Sequence, residues 1–89
     1  MLYMIIETFH PKKAKILYRR LEEKGRQLPP GVTYIDSWID PGLTTCFQLM
    51  ESDEASKIDR WVELWSDLAD FTIIPVISSA AAREKVKDT

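Results

Sequence analysis

The sequence predicts an α+β fold of the ferredoxin-like type, with a four-stranded antiparallel sheet in the order 4-1-3-2 and two helices on one face. Three observations carry this. Four short runs rich in β-branched and aromatic residues alternate with two stretches of helical periodicity in the order βαββαβ. Asp40-Pro41-Gly42 joins the second and third runs with turn chemistry. Pro75, inside the last run, cannot donate to a ladder and so places that strand at a sheet edge, where right-handed crossovers also put it.

The first strand spans Leu2 to Phe9 and ends at His10-Pro11, where proline suits the first position of a helix. From Pro11 to Lys24 the residues Ala14, Leu17, Tyr18 and Leu21 draw one apolar stripe, and Gly25 supplies the stop. After Pro29-Pro30-Gly31, the second strand runs from Val32 to Asp40. Strict alternation puts Val32, Tyr34, Asp36 and Trp38 on one face. A type II turn with a positive φ at Gly42 then leads into a third strand from about Leu43 to Glu51. Ser52-Asp53-Glu54 opens the second helix, which reaches about Ala69 with Ile58, Trp61, Val62, Trp65, Leu68 and Ala69 inward. Phe71 to Ile77 makes the fourth strand, and Ala80 to Lys87 a short terminal helix.

A chain of 89 residues has material for one core, so residues 1–89 are read as a single domain. Twelve basic against 14 acidic residues give a net charge of -2, which opposes nucleic-acid binding. The third strand, Thr44 to Met50, also lacks the basic and aromatic platform of an RNA-recognition sheet. No apolar run is long enough to span a membrane. The run Leu2 to Ile6 meets Glu7 without a basic leader, so it reads as a strand rather than a signal peptide. One Cys and one His exclude a Cys/His zinc set, and no metal or cofactor is expected. The lone Cys46 cannot form an internal disulfide, which points to a reducing cytoplasm.

Both faces of this sheet read apolar. Leu2, Met4 and Ile6 oppose Tyr3, Ile5 and Phe9 on the first strand, and the other strands repeat the pattern. Two helices cover only one face. Exposing even five such side chains would forgo roughly 1.5 to 3 kcal/mol each, so a second copy of the chain is the expected lid and a homodimer the expected state. Facing sheets would enclose a barrel-like interior. Glu7, Asp36 and Gln48 add polar groups among Tyr3, Tyr34 and Trp38, a composition suited to a small-molecule pocket. The structural alternative is that these groups only pair with one another or with the partner chain.

The element Trp38-Ile39-Asp40, together with Trp61-Val62-Glu63-Leu64-Trp65-Ser66-Asp67-Leu68 and Phe71-Thr72-Ile73-Ile74-Pro75-Val76, resembles the domain-of-unknown-function family 3303 over nearly the whole chain. That family is similar to the dimeric α/β-barrel superfamily, so the resemblance implies a homodimer of ferredoxin-like chains. Relatives of the superfamily include cofactor-independent quinone-forming monooxygenases, haem-degrading oxygenases, muconolactone isomerases and amino-acid-sensing domains. None of their catalytic sets matches residues here.

Two residues are candidates for proton transfer. Glu7 sits on a central strand, where desolvation would raise its pKa; its structural alternative is a partner for an Arg or Lys of the second chain. His10 is the only side chain that ordinarily titrates near neutrality, and it equally suits a surface turn. Tyr3, Tyr34, Asp36, Trp38 and Gln48 are the candidate ligand contacts, although Trp38 also suits a dimer contact. Helical spacing assigns Trp61 and Trp65 to the core, and Cys46 reads as an inert buried thiol.

The expected function is therefore a small homodimer that binds an apolar or aromatic molecule between facing sheets, of cofactor-independent oxygenase or isomerase type if it is an enzyme. The alternative is a non-catalytic ligand-sensing or assembly module.

Overall fold

The β-branched and aromatic run at the N-terminus forms β1 (Leu2–Phe9), an inner strand with neighbours on both sides. In a computed structural model, which describes residues 1–88, the chain continues through α1 (Ala14–Lys24), β2 (Val32–Ile39), β3 (Thr45–Ser52), α2 (Ala55–Trp65), β4 (Ala69–Val76) and α3 (Ser79–Lys87). The sheet order is β2-β3-β1-β4 with every pair antiparallel, the expected ferredoxin-like order read from its other edge. Pro75 lies on the edge strand β4, which pairs only with β1, so its missing N–H breaks no second ladder.

One face of the sheet carries the core. Tyr3 and Ile5 of β1 and Met50 of β3 are buried with Leu17 of α1 and with Ile58, Trp61 and Trp65 of α2. Phe71 of β4 meets Trp61 edge to face, with ring centroids 5.8 Å apart. The opposite face is apolar, and among the described residues large side chains on it are left exposed. Trp38, Phe47 and Ile74 are exposed there, beside half-buried Met4, Ile6 and Leu49, with which they are cross-strand neighbours. The two-faced apolar pattern is thus a property of the folded sheet.

Several local expectations are corrected. The first helix begins at Ala14 rather than Pro11, because Lys12 takes a positive φ of 64° and the Lys13 N–H closes a turn on the His10 carbonyl. Gly25 ends α1 as expected, with φ 66° and its N–H bonded to the Leu21 carbonyl. In the β2–β3 turn the positive φ falls on Leu43, at 59°, and not on Gly42. The Asp40 carboxylate organises that turn by accepting the Thr44 and Thr45 N–H groups at 2.8 and 2.7 Å. The second helix ends at Trp65, so Leu68 and Ala69 are buried from a turn and from β4.

The most consequential correction lies in β2. Strict alternation fails there because the register against β3 shifts between Tyr34 and Asp36, with Ile35 as the extra residue. Tyr34 opposes the buried Met50, but Asp36 opposes Leu49 and Trp38 opposes Phe47. Asp36 and Trp38 therefore belong to the uncovered face, while Ser37, opposite Gln48, turns to the helix side. Among the described residues no helix is long and apolar enough to cross a membrane.

Candidate functional site

Glu7 follows Tyr3 and Ile5 on the helix side of β1 by the two-residue period of a strand, so the fold buries a carboxyl where it would otherwise bury an apolar side chain. It is 4% exposed. Burial pushes its pKa up to about 7, against smaller lowering effects from the Gln48 hydrogen bond and the Arg26 charge. Gln48, 5% exposed on the neighbouring strand β3, donates Nε2–H to Glu7 Oε1. Its other amide atom, Oε1, accepts from Arg26 Nε at 3.3 Å. Gln48 therefore links the carboxyl to a cation that does not touch it directly.

Arg26 comes from the loop after α1, and the core fixes it in place. Its backbone carbonyl accepts both indole N–H groups of α2, from Trp61 at 2.7 Å and from Trp65 at 3.2 Å. Its guanidinium lies 3.6 Å from the Tyr34 ring centroid, a close cation–π stack. The Tyr34 hydroxyl is in turn held to the Ser37 hydroxyl at 2.6 Å. The bulge in β2 makes that bond possible, since Ser37 would otherwise face away.

These groups border a cavity of about 80 Å³ between the sheet and the helices. That is several times the ~10–15 Å³ that one water occupies. Its apolar walls include Phe9, Leu17, Leu21, Trp61 and Trp65, and its polar groups include Glu7, Arg26, Ser37 and Gln48. Tyr18 and Cys46 complete the lining. Burial raises the Tyr18 phenol above its ordinary value and pushes the Cys46 thiol up to about 11, so neither is ionised at neutral pH.

The structure brings together part of the set expected from sequence. Glu7 and Gln48 meet in the cavity wall, and Tyr34 backs it through Arg26. Tyr3 is a core residue 7% exposed and does not line the cavity. Asp36 and Trp38 are excluded because the bulge turns them to the other face. His10 also stands outside the cavity. Its ring bonds the Asp67 carbonyl at 3.2 Å and the Asp70 carboxylate at 3.0 Å, and the Asp70 bond raises its pKa. The polar cluster thus lies beneath the helices of one chain and not between two facing sheets. Sequence reasoning missed Arg26, Ser37 and Tyr18. Tyr18 was legible as part of a helical stripe, but a loop arginine and a residue displaced by a bulge carry no periodic signal.

The described residues hold no group of three or more His, Cys, Asp or Glu side chains that could bind a metal ion. The chemistry available is proton transfer and hydrogen bonding by one carboxyl, with a guanidinium and an amide beside it.

The chain belongs to the family described as domain of unknown function DUF3303, which it matches over residues 1–89. No curated protein matches it. Among solved structures it is similar to a protein provisionally assigned as an antibiotic biosynthesis monooxygenase from Chloroflexus aurantiacus J-10-fl. The two share 16% identity with a TM-score of 0.46, over 88% of this chain and 96% of that one. A second protein with the same assignment, from Deinococcus radiodurans, shares 11% identity with a TM-score of 0.47, over 88% of this chain and 93% of that one.

Proposed function

We propose that the chain binds a small, partly aromatic molecule in the cavity between its sheet and its helices, with Glu7 as the proton-handling group. One observation carries this reading: a carboxyl buried by an otherwise apolar wall, with its pKa raised to about 7, opens onto a space able to hold more than water. At neutral pH such a group is partly ionised. It can take an acidic proton from a bound molecule and return it elsewhere, which is the elementary step of an isomerase and of an oxygenase that relies on a deprotonated substrate. Gln48 keeps the carboxyl oriented toward β3 while the indoles and aliphatic side chains wall the cavity.

The test is a nuclear magnetic resonance titration of the protein with a panel of planar fragments. Shifts concentrated at the Trp61 and Trp65 indole N–H groups and at Gln48, together with a Glu7 carboxyl that titrates near 7, are the expected result. A Glu7 that titrates at its ordinary value of 4.5, or fragments that shift only the outer face, would overturn it. Fragment binding without turnover of any member would leave a sensing role in place of an enzyme.

The same reading makes the working form a homodimer that packs the uncovered sheet faces together. The exposed Trp38, Phe47 and Ile74 support it, since aromatic and aliphatic side chains gathered on one face favour burial in an interface. Sedimentation at micromolar concentration should find a dimer, and Trp38→Glu should shift it toward monomer. A stable monomeric wild type would sink the dimer and leave the cavity reading intact, because every residue lining the cavity comes from one chain.

A further inference from the structure

Arg26 is a guanidinium held in the cavity wall without a protein carboxylate paired to it among the described residues. Among the described residues no carboxylate lies within 4.0 Å of its guanidinium nitrogens, and its side-chain hydrogen bond uses Nε alone, toward Gln48. The outer fork of Nη1 and Nη2 finds no acceptor among those residues. The guanidinium is half-buried with its outer nitrogens open to solvent, and the protein fixes it twice, by two indoles on its carbonyl and by a ring under its plane. Such fixing removes conformational freedom before any ligand arrives, which is the arrangement of a preorganised receptor. Stacking on Tyr34 occupies the face of the guanidinium and leaves its edge for a planar, two-oxygen partner.

We infer that the cavity takes a small planar organic acid, whose carboxylate or equivalent anionic oxygens are received by the Arg26 fork while its ring lies among the cavity's aromatic side chains. This rests on the proposed binding site and names its ligand class. The charge balance around Glu7 supports it. The titratable and charged groups that share the cavity with Glu7 are Cys46 from β3, Tyr18 from α1 and Arg26 from the loop, beside the neutral Gln48 and Ser37. Of these only Arg26 is charged at neutral pH. With Glu7 protonated the site is one unit positive, and with Glu7 ionised it is neutral. An anion therefore binds best to the protonated form, its binding takes up part of a proton near neutral pH, and its affinity falls above about 7 by at most tenfold per pH unit.

The experiment is a calorimetric and nuclear magnetic resonance titration of the full chain with matched acid and amide pairs: benzoate and benzamide, salicylate and salicylamide, 2-naphthoate and 2-naphthamide. The acids are expected to bind at least tenfold tighter than their amides at pH 6, and Arg26→Gln is expected to erase that preference. Arg26→Lys, which keeps the charge but not the fork, covers the case in which the glutamine variant fails to fold, and should lose most of the preference. Glu7→Gln should keep the preference and abolish its decline above pH 7. Acids and amides that bind equally well, or an acid preference that survives both Arg26 variants, would overturn this inference and leave the proposed site standing. Failure of every pair to shift the Trp61 and Trp65 indole resonances would remove both together.

Discussion

Gln48 donates to Glu7 across the junction of two inner strands, two residues from directly opposite, since Glu7 is paired with Cys46 and Gln48 with Ile5. The two side chains share a face and cross the diagonal between them, a reach that cross-strand geometry allows to a long amide. The carboxyl thus has a hydrogen-bond partner but no direct ion pair, and burial decides its protonation.

Stability should therefore fall as pH rises. The folded carboxyl holds its proton up to about 7 and the unfolded one releases it near 4.5, so between these values the folded state binds more protons and loses stability with increasing pH. At ~1.36 kcal/mol per pH unit the full loss is on the order of 3 kcal/mol. Denaturant unfolding at pH 4.5 and pH 8 should show this for the wild type, and Glu7→Gln should flatten the difference and be the more stable protein at pH 8. A wild type equally stable at both values would contradict the burial argument.

Trp61→Phe should cost more than lost packing alone. The indole N–H that bonds the Arg26 carbonyl disappears, a loss of about 0.5–1.5 kcal/mol, and the loop bearing Arg26 loosens. The Trp65 bond at 3.2 Å remains, so the double variant Trp61→Phe, Trp65→Phe should exceed the sum of the singles in loop mobility. Hydrogen exchange of the amides near Arg26 reads this directly, and unchanged exchange in the double variant would refute it.

Cys46 should resist thiol reagents in the folded protein. Burial, followed by the neighbouring Glu7 charge, holds the thiol at about 11, so at pH 8 almost none is thiolate. Disulfide-exchange labelling at pH 8 should proceed slowly under native conditions and rapidly in denaturant. Fast native labelling would place Cys46 in a different environment.

Asp70→Asn should lower the pKa of His10. The Asp70 hydrogen bond is the largest of the influences that raise it, ahead of the Asp67 carbonyl and the two nearby charges. Because the raised value means that protonated His10 favours the folded state, its contribution is present below pH 6.5 and fades as pH climbs past the folded value. Proton resonances of the imidazole, followed from pH 5 to 9 in both proteins, measure the change. Ring titration that is identical in the variant would show the bond to be without effect in solution.

Much of this architecture was legible from the order of residues. The spacing of Leu17 and Leu21, the aromatic run Leu2–Phe9, Gly25 as a stop and Pro75 at an edge are local properties, set by backbone geometry and by which side chains can be buried at a helical or strand period. Glu7 and Gln48 were visible for the same reason, as polar residues at positions where a strand's period calls for apolar ones.

What the tertiary structure alone decided was which face each group reaches. A single extra residue, Ile35, reverses the alternation of β2, so it sends Asp36 and Trp38 to the uncovered face and Ser37 to the covered one. Arg26 belongs to a loop with no period, and two tryptophans 35 and 39 residues away in sequence draw its carbonyl into place. Periodicity assigns sides only while register is unbroken, and loop residues acquire their positions from long-range hydrogen bonds that the linear order does not encode.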